Sequence, residues 1–334
     1  MIVWLQRQIF QRRLTPALWL LSPLLWPLSL LFRTLAAIRR RYLTRTRLPV
    51  PVIVVGNLVA GGAGKTPLTL CLAQALRQRG WRPGIVSRGY GGKATAPRAV
   101  LPGALAVDVG DEPILLASRS GVPVWVCRDR VAAGRALLAA HADVDVLLCD
   151  DGLQHYRLAR DIELAVFDRR GAGNGHCLPF GPLREPLARL AAVDALIGND
   201  FDASTLAKGR PHFTMQLRPG AFRRLDDPAV TCAADDLAGR PLHALAGIGD
   251  PGRFFRTLAG LGLRFVEHPF PDHHVYVAGD LAFGPQAVLL MTEKDAVKCT
   301  GLCTGEAWVL PVDAELSPAL IDLITEKCLG RQAA

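Results

Sequence analysis

Apolar positions along the chain follow two rhythms. Runs of four to six mostly aliphatic residues fall at Pro51–Val55, Arg82–Ser87, Val122–Cys127, Val144–Cys149 and Leu164–Phe167. Short apolar runs punctuated by Gly, Pro or Asp predict buried strands. Between them, Thr66–Arg79, ended by Gly80, and Arg130–Ala142 read as helices. Strands alternating with helices predict a parallel sheet covered on both faces. The pattern weakens over Leu217–Thr231, where Pro219, Gly220 and Pro228 suggest a linker or hairpin. A second series follows: strands at Leu242–Ala246, Arg264–His268, Ala287–Met291 and Trp308–Val312, helices at Pro251–Leu261 and Ala319–Cys328.

One stretch breaks both rhythms. Leu14–Phe32 is an uncharged run of 19 residues. As a helix it would be roughly 28 Å long, close to the ~30 Å hydrocarbon layer of a bilayer. Trp19 and Trp26 could anchor it at an interface, while Pro16, Pro23 and Pro27 work against a straight helix. A soluble core helix of this composition would need burial on every side, so membrane association is the favoured reading; spanning and lying in the interface both fit. No small-residue cleavage site follows it, which argues against a removable signal peptide.

Charge sharpens this picture. The 334 residues carry a net charge of +9, yet the first acid is Asp108, after sixteen Lys and Arg. Arg39, Arg40, Arg41, Arg45 and Arg47 follow the apolar run and suit anionic headgroups. With 50% hydrophobic and 21% charged residues, the chain is no disordered protein. Its eight cysteines include no C-x-x-C pair, as expected of core side chains in a reducing compartment rather than a zinc or disulfide framework.

The strongest chemical signal is PVIVVGNLVAGGAGKTP, Pro51–Pro67. A strand, a glycine-rich loop and Gly64-Lys65-Thr66 opening a helix make the P-loop arrangement. Main-chain N–H groups of Gly61, Gly62, Ala63 and Gly64 can turn towards phosphate oxygens, and the helix start adds partial positive charge. Lys65 would reach the β- and γ-phosphates, the Thr66 hydroxyl a Mg²⁺, and Pro67 closes the motif. Position 59, where the usual spacing puts a first glycine, is Val59. Val144–Asp151 is a strand ending in Asp150 and Asp151, the usual place of Mg²⁺-binding acids after a P-loop. No N-K-x-D guanine element is present, which favours ATP over GTP. A kinase also needs a proton acceptor: Asp111 and Glu112 in VGDEP, with His273 and His274 in FPDHH, are the candidates.

Eight stretches in order, VVGNLVAGGAGKTP (54–67), SRGYGG (87–92), GDEP (110–113), DDGLQH (150–155), LPFGPLREP (178–186), GIGDPGRFF (247–255), FPDHH (270–274) and TEKDAVK (292–298), make the chain resemble the tetraacyldisaccharide 4′-kinase family of lipid A biosynthesis. The resemblance implies an α/β fold: a P-loop NTPase-like parallel-sheet domain with an N-terminal membrane helix and a smaller C-terminal α/β domain. The expected divisions are 1–47 for the membrane segment, 48–216 for the P-loop domain, 217–240 for a hinge and 241–334 for the smaller domain. It implies ATP and Mg²⁺ as cofactors and phosphorylation of the 4′-hydroxyl of a tetraacyldisaccharide 1-phosphate to lipid IVA. It also implies a monomer that binds inner-membrane phospholipids at the cytoplasmic face and no nucleic acid. Carried over by motif, Asp111 is the proton acceptor with His273 as partner. Lys65 is catalytic, and Thr66, Asp150 and Asp151 are metal-side. Ser87, Arg88, Tyr90, Glu112, Arg130, Gln154, His155, Arg184 and Glu185 are expected against the substrate. TEKDAVK, by contrast, is accounted for by helix capping, with Thr292 as N-cap, and lends no residue to the site. A membrane-associated ATPase without a lipid acceptor and a nucleotide-binding regulatory module are the competing classes; nucleic-acid binding ranks last.

Overall fold

A computed structural model describes residues 8–11 and 14–332. Strand β1 (Val52–Gly56) shows why its main sheet is covered twice. Ile53 and Val55 join one core layer and Val52 and Val54 the other, all fully buried. A strand apolar on both faces belongs mid-sheet with cover on each side. β1 lies between β5 (Val146–Asp150) and β6 (Ile162–Asp168), parallel to both. Beyond β5 come β2 (Pro83–Ser87), β4 (Val124–Val126) and the short antiparallel β3 (Arg98–Ala99). Beyond β6 come β7 (Ala195–Asn199), β8 (His212–Pro219) and, antiparallel at the edge, β15 (Val312–Leu316). Leu68, Leu72 and Leu76 of α2 (Lys65–Gln78) and Leu116 of α3 (Asp111–Ser120) cover one face; Leu137 of α4 (Arg130–Ala140) covers the other.

The second sheet runs β10 (Thr231–Cys232), β9 (Phe222–Arg224), β14 (Ala307–Leu310), β13 (Val288–Thr292), β11 (Leu242–Ala246), β12 (Phe265–Pro269). Phe254, Phe255 and Leu258 of α5 (Pro251–Gly260) pack on one face, and Ala296 and Cys299 of α6 (Glu293–Cys299) on the other.

The expected domain limits need two corrections. Within the expected hinge, Phe222–Arg224 and Thr231–Cys232 are strands of the second sheet, the latter at its edge. Residues 312–332 leave the second body altogether. The run read as one strand, Trp308–Val312, is divided at Pro311, which has no N–H to give a ladder. Beyond it β15 pairs with β8 from Val312↔Pro219 to Leu316↔Met215, and Leu320, Ile321 and Ile324 of α7 (Pro318–Gln332) join the core beside α2. Two hydrogen-bonded strands therefore connect the bodies.

Helix α1 (Pro16–Tyr42) has 27 residues and continues through Pro23 and Pro27. Thr15 caps it, its hydroxyl accepting from the Leu18 N–H at 3.3 Å. Leu20 is 83% exposed, and Trp19, Leu24, Trp26 and Leu31 are exposed as well. Only Leu18 and Ser29 are buried; Leu18 packs with Ile9 and Phe180, and the Ser29 hydroxyl donates to the Cys177 carbonyl at 2.7 Å. A core helix is thereby excluded: this helix is long and apolar enough to cross a membrane, and its apolar surface faces outward.

Candidate active site

The loop between β1 and α2 is braced from several directions. Gly61 and Gly64 take φ of +90° and +97°, where a side chain is strained, and a Cβ on Gly64 would overlap the Asn199 amide. Asn199 donates to the Ala63 carbonyl at 3.0 Å, and the fully buried Asn57 donates to the Gly61 carbonyl at 3.1 Å. Arg170, paired with Asp168 at 2.7 Å, donates to the Gly62 carbonyl at 2.8 Å. With these carbonyls tied outward, the N–H groups are left for a ligand. Val59 explains the missing glycine: residues 58–60 form a short ladder with Pro182–Arg184, the Ala60 N–H donating to the Pro182 carbonyl and the Arg184 N–H to the Leu58 carbonyl. This ladder delivers Arg184 to Asp151 at 3.2 Å.

Lys65 Nζ lies 3.5 Å from Asn57 Oδ1 and 3.6 Å from Asp151 Oδ1. Burial pushes the Asp151 carboxyl up, but Lys65 and Arg184 outweigh it and hold the group below the usual carboxylate range. Asp151 takes φ +48°, an uncommon backbone for a non-glycine residue. Asp150 is fully buried; its Oδ1 accepts from Thr69 at 3.1 Å and its Oδ2 has no partner. Burial, then the charges of Glu112 and Asp151, raise Asp150 to about 7. An orphaned buried carboxylate oxygen beside a P-loop is the donor that a divalent cation would satisfy. Among the described residues no three His, Cys, Asp or Glu side chains gather as a metal cage. Mg²⁺ needs none, since it usually takes one or two carboxylates and leaves the rest of its shell to phosphates and water.

Across the cleft, His273 Nδ1 meets Asp111 Oδ2 at 3.1 Å. Asp111 begins α3 after Gly110, whose φ of +89° turns the chain. A Cβ on Gly110 would lie 2.5 Å from the Tyr90 carbonyl, and one on Gly92 2.6 Å from that of Asp108. The SRGYGG loop thus packs backbone to backbone on GDEP and lays the Tyr90 ring against His273, centroids 4.7 Å apart. His273 itself has φ +60°. Burial pushes Asp111 up, but the His273 hydrogen bond and the Lys294 charge hold it below the usual carboxylate range. Burial would lower His273, yet the bond to Asp111 lifts it above its ordinary value.

A cavity of about 560 Å³ between the bodies is lined by Lys65, Thr66, Tyr90, Glu112, Asp151 and His273, among others. Of the residues expected against substrate, Tyr90, Glu112 and Arg184 line it, and exposed Arg88 lies over the Tyr90 ring at 5.9 Å. Ser87, Arg130 and Glu185 do not line it: each is at most 5% exposed. Glu185 accepts from Gln154 at 2.9 Å and from the Tyr156 hydroxyl; Arg130 donates to the Asp151 carbonyl at 3.3 Å. His155 accepts from the Arg130 N–H at 3.3 Å and is pushed down to about 4 by burial and then by Arg130. These residues form a polar layer behind Asp151 and bear on the cavity through it. Three residues that the motif reading leaves off the site hold it together: Asn57, Arg170 and Lys294. The signal for Lys294 was the TEKDAVK stretch; capping explains Thr292, whose hydroxyl accepts from the Asp295 N–H, but not the lysine.

The family model of tetraacyldisaccharide-1-P 4′-kinase matches residues 21–329. The tetraacyldisaccharide 4′-kinase of Dechloromonas aromatica is 62% identical over 333 residues, 99% of each chain. That of Azoarcus sp. is 51% identical, covering 93% of this chain and 92% of its own. LpxK from Aquifex aeolicus, whose crystal structure was solved in complex with ATP, superposes with a TM-score of 0.76 at 31% identity, over 90% of this chain and 98% of that one. A braced P-loop, an acid pair at the end of the neighbouring strand and a histidine–aspartate contact across the cleft thus occur in a chain that belongs to the tetraacyldisaccharide-1-P 4′-kinase family.

Proposed function

We propose that the chain transfers the γ-phosphoryl group of ATP to the 4′-hydroxyl of tetraacyldisaccharide 1-phosphate, and that transfer takes place in the cleft between the two bodies. Phosphates would lie against the amides of residues 61–66, with Lys65 on the β- and γ-phosphates. Thr66, Asp150 and Asp151 would hold Mg²⁺, whose chemistry is to neutralise phosphate charge. Phosphoryl transfer through a loose transition state leaves little covalent work to the protein, so alignment and charge dominate. Asp111, a carboxylate at neutral pH, would take the hydroxyl proton late, and His273 would orient it. A weak base suffices for such a late transfer. Lys294 and His273 both reach Asp111 from the second body, so movement of that body admits the sugar. Arg88 and Tyr90 would meet the sugar at the rim. The chain would act as a monomer at the cytoplasmic face of the inner membrane, with α1 in the bilayer and Arg39–Arg41 at the headgroups.

The observation that carries this reading is the Asp111–His273 contact at 3.1 Å, joining two distant motifs, one from each body, across a cleft that reaches the P-loop. An ATPase or a nucleotide switch needs no such acceptor. Incubation with γ-labelled ATP and the tetraacyl disaccharide 1-phosphate in detergent micelles should give a labelled bisphosphorylated lipid. Label released only as inorganic phosphate would overturn the assignment in favour of the ATPase.

A further inference from the structure

Lys294 projects from a turn held by several buried contacts. Its neighbour Asp295 is fully buried and accepts from the Gly247 N–H at 3.1 Å, the Tyr276 hydroxyl at 3.0 Å and the Thr292 hydroxyl at 2.6 Å, with Lys298 Nζ at 3.0 Å. The first turn of α6 is thus tied to the loop after β11 and to the segment following His273. From it, Lys294 Nζ reaches Glu112 Oε1 at 3.1 Å, Asp272 Oδ1 at 3.2 Å and Asp111 Oδ2 at 3.9 Å. Its side chain is 15% exposed and lines the cavity. An ammonium has three donors, and here three carboxylates from both bodies surround it.

We propose that Lys294 is a positioning residue for phosphoryl transfer: its ammonium ties the second body to α3 and fixes the charge of the Asp111–His273 pair. The groups facing that pair are Glu112 from α3, Tyr90 from the SRGYGG loop, Asp272 from the His273 loop, and Lys294 and Lys298 from α6. Without Lys294, Asp111 loses the ammonium 3.9 Å away while Glu112 and Asp272 remain nearby. Its proton affinity then rises, and so does that of His273, which Lys294 otherwise repels. A cation within about 4–6 Å typically moves a carboxyl by 1–3 pH units.

This rests on Asp111 as proton acceptor, so the test has one readout that needs no turnover. In K294M, K294R and the unaltered protein, the His273 ring is titrated by NMR with labelled histidine, its signal assigned by loss in H273Q. The kcat–pH profile is measured alongside on the disaccharide. In K294M the His273 midpoint should move to higher pH. The acid limb of kcat should rise by about one pH unit or more, with KM for ATP changed less than threefold, and K294R should restore both. A His273 midpoint in K294M that overlays the unaltered protein overturns the proposal. So does a fall in kcat with an unmoved acid limb, because a merely structural tie would give that result. Absence of lipid phosphorylation in the unaltered protein would instead overturn the assigned function and leave the NMR result standing.

Discussion

Asp111 is 4% exposed and still ionised, because His273 and Lys294 supply what water would otherwise give. Replacing it with Asn keeps the shape and removes the acceptor. We expect kcat to fall by about 10²- to 10⁴-fold, with KM for ATP little changed; steady-state kinetics against both substrates measures this. The sign of the pH dependence follows from the same contacts. Asp111 is held below its ordinary value, so the carboxylate is present through neutral pH and is lost only as pH falls through that depressed value. The part of the acid limb of kcat that Asp111 sets, read at saturating ATP and Mg²⁺, should therefore lie below the usual carboxylate range. Single residues of this kind were legible where chemistry forces a residue type into a motif, as with Lys65, Asp111, Asp150 and Asp151. Asn57 and Arg170 were not. Their work is to hold the carbonyls of Gly61 and Gly62, and any residue with a donor in the right place could do it.

Helices and strands differ in how much of their reason is local. β1, β5 and α2 follow from their own runs of residues. α3 was hidden, because the Asp111 that opens it looks like an ordinary loop acid until Gly110 and Tyr90 are seen to pack. β15 was hidden because its partner, β8, lies about a hundred residues away and nothing local marks the pairing. α1 stood out because an exposed apolar helix has no local excuse in water. Leu20 and Leu24 are 83% and 64% exposed, so replacing both with Lys should leave the core untouched. In a bilayer each lysine near the helix centre would cost about 3 kcal/mol. The double variant should lose co-flotation with anionic vesicles while keeping its melting temperature within about 2 °C. Its activity on micellar substrate should fall less than its activity on vesicle-borne substrate. Unchanged flotation would remove α1 from the membrane.

At the scale of the whole molecule, the transfer proposed for the cleft requires the two bodies to meet. The strands β8 and β15 link them, and among the described residues side chains bridge them elsewhere: Lys294 to Glu112, Arg119 to Glu293, Arg253 to Asp168 at 3.4 Å, and His273 to Asp111. Main chains come close at Gly249, where a Cβ would lie 3.0 Å from the Gly62 nitrogen, a backbone atom that cannot step aside without disturbing the P-loop. Val at 249 would therefore hold the bodies apart. The His273 contact needs closure, so its loss should follow. We expect G249V to lower kcat about as much as H273A does. If the valine acts through separation alone, the double variant G249V/H273A should be no worse than H273A, because one contact cannot be broken twice. Effects that instead multiply would mean that Gly249 serves the P-loop directly and that closure is not what brings His273 to Asp111. ATP affinity, measured by calorimetry on all three variants, separates these cases: separation of the bodies with an intact P-loop should leave binding unchanged, whereas a distorted Gly62 should weaken it before any chemistry begins.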